Sequence, residues 1–459
     1  MRVISDKHTR PDLLNDPISP TLKRMTIPMI FGMVSLMMFN IVDIFFISLL
    51  GTEPLAAVSF TFPVTFMVIS LAIGLGIGTS AVIAKALGSD KLDEARFDAS
   101  ISLLVAVVLV LILSFCGYLL IDPIFTLLGA GSNVLPLIHD YMNIWFLGSV
   151  CLITPMIGNS VLRASGDTKT PSLVMGGAGL INAVCDPILI FGWGPIPALG
   201  IQGAAISSVI AWSIAVIIIL YLLIIKKQLL SLKAGGQTAV GAIRKILKIG
   251  LPAAGANMLT PVAMAVITAL VAQHGPEAVA AFGVGSKIES IASILILALS
   301  MTLPPFISQN FGANNLTRVK QAYTGTLKFV MIWQFAIYIL LIIFAGGLSQ
   351  LFGKEQAVID VIKLFIYTIP LSYGLQGVII LSNSSFNALH KPMNALVLSV
   401  IRLFVFYLPF AYLGNELAGL VGLFVGAALG NLFTAIVAYK WFIKELETLN
   451  NQLLQECSQ

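Results

Sequence analysis

Gly51-Thr52-Glu53-Pro54-Leu55-Ala56-Ala57-Val58 has a counterpart 224 residues downstream, where Gly275, Glu277, Ala280 and Ala281 stand in the same order and spacing. The register holds outward from that octapeptide. Pro28 pairs with Pro252 and Gly88 with Gly312, each at the same place in a pattern of helix, short turn, helix and polar loop. It slips by one residue only where Gly203-Ala204-Ala205 meets Gly426-Ala427-Ala428. Many secondary transporters are built from a duplicated apolar unit of this size, with the substrate path between the halves.

Of the 459 residues, 58% are hydrophobic and 10% charged, and the mean hydropathy is +0.97. A soluble chain would carry about a quarter of its residues as charges. The apolar residues form blocks long enough to cross a hydrocarbon core ~30 Å thick. Twelve such blocks lie near 25–49, 57–84, 100–121, 137–162, 172–193, 201–225, 249–273, 279–307, 326–348, 362–386, 394–413 and 418–441. The expectation is an all-α integral membrane protein of twelve transmembrane helices.

Lys and Arg fall in alternate loops, with 22 of the 26 on one side: the N-terminal segment, Lys85–Arg96, Arg163 and Lys169, Lys226–Lys248, Arg318–Lys328, Lys391, Lys440 and Lys444. By the positive-inside rule both termini are cytoplasmic. Six spans per half make the repeats parallel. The domains read as a cytoplasmic segment 1–24, a six-helix bundle 25–225, a linker 226–248 centred on Gly235-Gly236, a second bundle 249–441 and a tail 442–459. The net charge of +5 reflects this bias and gives no reason to expect nucleic acid as a partner. Cys116, Cys151 and Cys185 sit in apolar spans and Cys457 in the tail, so no disulfide framework is expected. The first span reads as a retained anchor, since no small-x-small cleavage site follows it.

There is no Walker-type phosphate loop. Gly74-x-Gly76-x-Gly78 lies inside an apolar span with no strand before it, where glycines serve close helix packing. His8, His139, His274 and His390 have no metal-ligand spacing. No nucleophile–base constellation is visible, so neither an enzyme nor a cofactor is expected.

An ionisable group within a span costs roughly 2.5–3.5 kcal/mol on insertion scales, so each needs a reason. Asp43 stands seven residues before the outer end of span 1, Asp186 about as far before that of span 5, and Ser208 about as far into span 6. At 1.5 Å per residue all three lie roughly 10 Å below the outer surface. Asn182 precedes Asp186 by four residues and Asn40 precedes Asp43 by three, so each pair shares a helix face. Asn159 and Asn182 flank the turn at Gly166–Thr170 at one depth. Two carboxylates close together in low dielectric cannot both ionise cheaply, so the layer suits a shared proton or a hard cation such as sodium at Asp43, Asn182, Asp186 and Ser208. The structural alternative is that Asp186 merely satisfies a helix break at Pro187. Duplicated packing does not require an acid, because the partner of Asp43 is Ile267.

In the second half, Lys287 and Glu289 are two residues apart and cannot face one way on a regular helix. Arg402 sits mid-span and needs an acid or backbone carbonyls. Met25, Met29, Met33 and Met37 recur every four residues, a pattern of ordinary packing or of an adaptable binding surface. Met33, Met37, Lys287, Glu289 and Arg402 are therefore the candidates for a substrate cavity.

The whole chain from about residue 20 to 445 resembles the multidrug and toxic-compound extrusion family, in its DNA-damage-inducible protein F-like branch. The carriers are Ile27-Pro28, Asn40-Ile41-Val42-Asp43, the Gly51–Val58 octapeptide, Leu162–Pro171, Asn182-Ala183-Val184-Cys185-Asp186-Pro187 and Gly203-Ala204-Ala205. The resemblance implies two six-helix bundles around a central cavity, and export of small amphipathic, often cationic compounds in exchange for protons or sodium. It places the coupling site on Asp43, Asn182, Asp186 and Asn159, with Ser208 where the family has threonine, and a bend of helix 1 at Pro28. Span 7 carries Asn257 and Thr260 but no acid, unlike other branches. The protein is expected to work as a monomer among membrane lipids of a bacterial inner membrane. One rival is a lipid-linked oligosaccharide or peptidoglycan-precursor flippase, which would want more cations for pyrophosphate than Lys287 and Arg402. The other is a non-transporting scaffold, against which the short outer loops argue.

Overall fold

The computed structural model describes residues 11–233, 236–353 and 355–458. Gly235 of the linker pair, and Arg2, Lys7, Arg10 and Lys354 of the charge pattern, lie outside them. The first half runs α1 (Ile18–Ser48), α2 (Thr52–Gly88), α3 (Leu92–Leu119), the short α4 (Ile121–Leu127), α5 (Leu135–Ala164), α6 (Lys169–Phe191) and α7 (Ile201–Tyr221). The second runs α8 (Ala239–Ala272), α9 (Pro276–Ala292), α10 (Ile294–Gly312), α11 (Leu316–Phe352), α12 (Gln356–Thr368), α13 (Tyr373–Ala388), α14 (Pro392–Val400) and α15 (Leu408–Ser458). Among the described residues the only strand-like pairing is an isolated bridge between Trp193 and Ile196.

Eleven helical runs are long and apolar enough to cross a membrane among the described residues. The last, Pro392–Gln455, has 64 residues and as one rod would reach roughly 96 Å. It breaks at Ala418 (φ −145°) and Gly419 (φ 59°), which makes it two spans and restores the expected twelve. Large apolar side chains such as Phe31, Ile41, Phe115 and Ile343 stand exposed on these rods, as a lipid-facing surface requires.

The duplication is written in the backbone. α1 and α8 end at Ser48 and Ala272, α2 and α10 at Gly88 and Gly312, α5 and α13 at Ala164 and Ala388, each pair 224 apart. The turns between them repeat as well. Positive φ angles occur at Gly51 and Gly275, Asp90 and Asn314, and Gly166 and His390, again 224 apart. Asp, Asn and His are the side chains that tolerate this region best, so the turn geometry survived where glycine did not. The register of the last span differs from the sequence expectation. Its entry glycines, Gly200 (φ 56°) and Gly419 (φ 59°), are 219 apart, which sets Gly203 against Gly422 rather than Gly426. The second half lacks residues equivalent to part of the Gly192–Leu199 loop.

The chain divides into two compact units, one taking in Lys23–Ala254, the other Leu13–Leu22 and the chain from Gly255 on. α8 therefore starts at Ala239, inside the stretch read as a linker, and its first turns belong to the first unit. The Gly74-x-Gly76-x-Gly78 run explains the fit. A Cβ on Gly74 would stand 2.4 Å from Gly250 O of α8, one on Gly78 2.7 Å from Ile246 O, and one on Gly76 2.7 Å from Ser160 Oγ of α5. These glycines bring helix backbones together.

The Gly166–Thr170 turn fixes α5, α6 and α7 relative to one another. Asp167 accepts from the Thr170 amide (3.1 Å) and hydroxyl (2.8 Å) and pairs with Lys227 Nζ (3.2 Å) just past α7. Burial alone would raise the Asp167 carboxyl, but the Thr170 bonds and the Lys227 ammonium outweigh it and hold the group below the usual carboxylate range.

Candidate functional site

Three helices of the first unit bring the predicted acids together. α6 passes unbroken through Asp186-Pro187 to Phe191, so no helix break there calls for the carboxylate. Asp186 is fully buried. Its Oδ1 accepts from Ser207 Oγ in a short contact and from Asn182 Nδ2 at 3.2 Å. The same amide reaches Ser207 Oγ at 2.8 Å and Ser208 Oγ at 3.4 Å. Asp43 of α1 lies near enough to Asp186 for the two carboxyls to act on each other electrostatically. Two ionised carboxylates so placed repel each other, and a proton or cation between them relieves the repulsion. Asp43 Oδ1 and Asp186 Oδ2 are both buried and receive no donor from the described protein. Tyr141 of α5, 8% exposed, stands in the field of both carboxyls.

The remaining first-half candidates sit apart from this pair. Asn159 is buried on α5 with its Oδ1 unsatisfied, and no described hydrogen bond joins it to the carboxyls. Asn40 is exposed and donates to Leu36 O of its own helix at 3.1 Å. α1 runs through Pro28 as one continuous helix. Met25 and Met29 are buried, whereas Met33 and Met37 are half-buried. Sequence reasoning picked Ser208 and missed Ser207 and Tyr141. Two adjacent serines differ by about 100° of helix rotation, which no composition rule resolves, and a tyrosine in an apolar span carries no signal of its own.

Among the described residues no three His, Cys, Asp or Glu side chains gather as metal ligands. Two carboxylates with amide and hydroxyl partners fit a proton or a hard monovalent cation better than a resident transition metal.

In the second unit, Lys287 is exposed, while Glu289 two residues on accepts from Gln376 Nε2 of α13 at 3.0 Å. Arg402 lies on a π-helical segment, Ile401–Tyr407, between α14 and α15, with its guanidinium carbon 5.9 Å from the Tyr407 ring centroid.

The profile of the MatE family matches residues 28–188 and again 252–413, two copies whose starts are 224 residues apart. The chain belongs to the MatE family. It is a transporter and not an enzyme, and its relatives carry small organic compounds. It is 42% identical over 437 residues to the FAD transporter of Shewanella oneidensis, covering 95% of this chain and 96% of that one. The multidrug export protein MepA of Staphylococcus aureus is 23% identical over 424 residues, covering 92% and 93%. Among solved structures, the Vibrio cholerae MATE transporter VcmN in its bent form superimposes with a TM-score of 0.91 at 34% identity, over 94% of this chain and 98% of that one.

Proposed function

We propose that this MatE transporter exports flavin adenine dinucleotide, or a flavin nucleotide like it, from the cytoplasm in exchange for protons or sodium. The observation that carries the cargo is the near-full-length similarity to a transporter of that compound, at nearly twice the identity shared with MepA. The clustering of 22 of 26 basic residues at one end supports an orientation with both termini in the cytoplasm, in a bacterial inner membrane. The Asp43–Asp186 pair supports the coupling. From the outer side the carboxyls take up a proton or sodium, repulsion between them is relieved, and α1 shifts relative to α6. The cargo site then loosens. Deprotonation or sodium release on the inner side restores it.

A second reading, export of amphipathic cationic drugs with resulting antibiotic resistance, draws on the MepA similarity and on the paired carboxylates, which would also attract a cationic compound. Proteoliposomes holding the purified protein separate the two. Flavin dinucleotide and a cationic dye are offered in turn, with pH and sodium gradients imposed independently. Gradient-driven flavin movement that Asp43→Asn abolishes supports the first reading. Movement of the dye alone supports the second. Flavin movement by Asp43→Asn at the wild-type rate, with either gradient, removes the coupling mechanism.

A further inference from the structure

Arg402 is a half-buried cation that enters no salt bridge among the described residues. It stands ten residues past Pro392, where α14 begins, and so roughly 15 Å into its span. Its Nε is sealed from solvent and bonds to nothing, and among the described residues Arg402 enters no ion pair. A guanidinium stays charged in any protein setting and offers five N–H donors in a planar fork. Glu289 is near enough to act on that charge, while one of its carboxylate oxygens accepts from Gln376. Beside them, Tyr373 is fully buried with a hydroxyl that meets no partner, and Tyr407 turns its ring toward the guanidinium.

The backbone supplies a second, independent observation. Three spans of this unit leave α geometry next to these residues. The helix breaks between α9 and α10 at Ser293, one turn past Glu289, and Gln334 Nε2 caps the exposed Ala292 O at 2.9 Å. A 3₁₀ turn, Ile369–Ser372, leads directly into Tyr373. The π-helical segment contains both Arg402 and Tyr407. The corresponding stretches of α2, α5 and α6 are continuous α-helix, and at an offset of 224 Arg402 and Glu289 stand opposite Ala178 and Thr65. Irregular backbone at membrane depth is tolerated where it serves a buried or liganded site, and π-segments concentrate at functional positions.

We propose that Arg402, with the Tyr373 hydroxyl and the Tyr407 ring, is the subsite that reads a phosphate of the cargo, and that Glu289 is the mobile counter-charge when no cargo is bound. The fork geometry suits a phosphate oxygen pair, and the two tyrosines suit the planar ring systems a nucleotide carries. This deepens the flavin-nucleotide reading and rests on it.

Affinity of the detergent-purified protein is measured for flavin dinucleotide, flavin mononucleotide and riboflavin, the last sharing the ring system but lacking phosphate. Arg402→Gln is expected to weaken both nucleotides about ten- to hundredfold, the range of a lost charge-assisted hydrogen bond, and to leave riboflavin unchanged. Arg402→Lys is expected to recover part of the loss, and Glu289→Gln to tighten nucleotide binding. Equal weakening of riboflavin and the nucleotides, or no weakening, overturns the proposal, and the Lys variant reports whether the fold tolerates change there. If the wild type binds no flavin at all, the cargo reading falls. The subsite is then judged with inorganic pyrophosphate: binding that Arg402→Gln removes upholds it, and no binding ends it.

Discussion

The two halves share helix ends and turn geometry at a spacing of 224 residues, yet they place opposite charges inside the membrane. The first half holds a carboxyl pair, Asp43 and Asp186, on uninterrupted helices. The second has Ile267 and Phe410 at those positions and instead carries a guanidinium where three spans lose their regularity. Duplication thus preserved what packing needs and released the interior. A half that takes up cations and a half that reads an anion, as proposed above, is the arrangement an exchanger of positive ions against an anionic cargo would want.

The comparison breaks most sharply at the charges themselves. Asp43→Asn is expected to reduce gradient-driven export to the level of empty liposomes for every cargo, whereas Arg402→Gln should spare a cargo without phosphate. Equal selectivity in the two variants, read as a ratio of flavin dinucleotide to riboflavin flux, would dissolve the division of labour.

Neighbouring hydroxyls sharpen it further. Ser207 holds Asp186 and Asn182 more closely than Ser208 does. Ser207→Ala should therefore slow export about tenfold, the smaller end of a lost bond to a charged group, and shift its pH profile. Ser208→Ala should act more weakly. The reverse order, measured in the same liposomes, would mean that α7 is rotated in the working protein.

Two smaller effects concern the scaffold. Gly74→Ala forces a methyl group onto the α8 backbone and should cost about 1–3 kcal/mol, seen as a lower melting temperature in detergent. Gly76→Ala meets only the Ser160 hydroxyl and should cost less. At the Gly166–Thr170 turn, the depressed Asp167 carboxyl contributes stability that is complete above its unfolded value of about 4 and is lost as pH falls through its folded value. Wild-type stability should decline on acidification below pH about 4, and Asp167→Asn should flatten that decline.

Most of the first-half site was legible because a carboxylate in an apolar span is costly, and the depths of Asp43 and Asp186 could be counted from the helix ends. The four-residue step from Asn182 to Asp186 likewise gave their shared face, and the 3.2 Å bond bears it out. Asn40 had the same kind of spacing to Asp43, yet its amide turned to its own helix. Spacing along one helix fixes a face, but not which neighbour that face meets. Pro187 suggested a local break that did not form, since α6 continues through it, and α1 likewise continues through Pro28. Of the breaks that did form, the one at Ser293 has no glycine or proline to announce it, whereas Pro409, which cannot bond Val405 O, stands just past the π-helical segment Ile401–Tyr407.

By itself, the sequence determined the membrane setting, the duplication and the level at which charge is buried. All three follow from transfer free energies that add residue by residue along the chain. The tertiary structure alone decided which serine meets Asp186, that Tyr141 lies in the field of the acids, and where the second half's helices loosen around Arg402. Those depend on the rotation of one helix against another and on which backbone groups find partners across the interface. Such terms belong to pairs of distant segments and are written in neither segment alone.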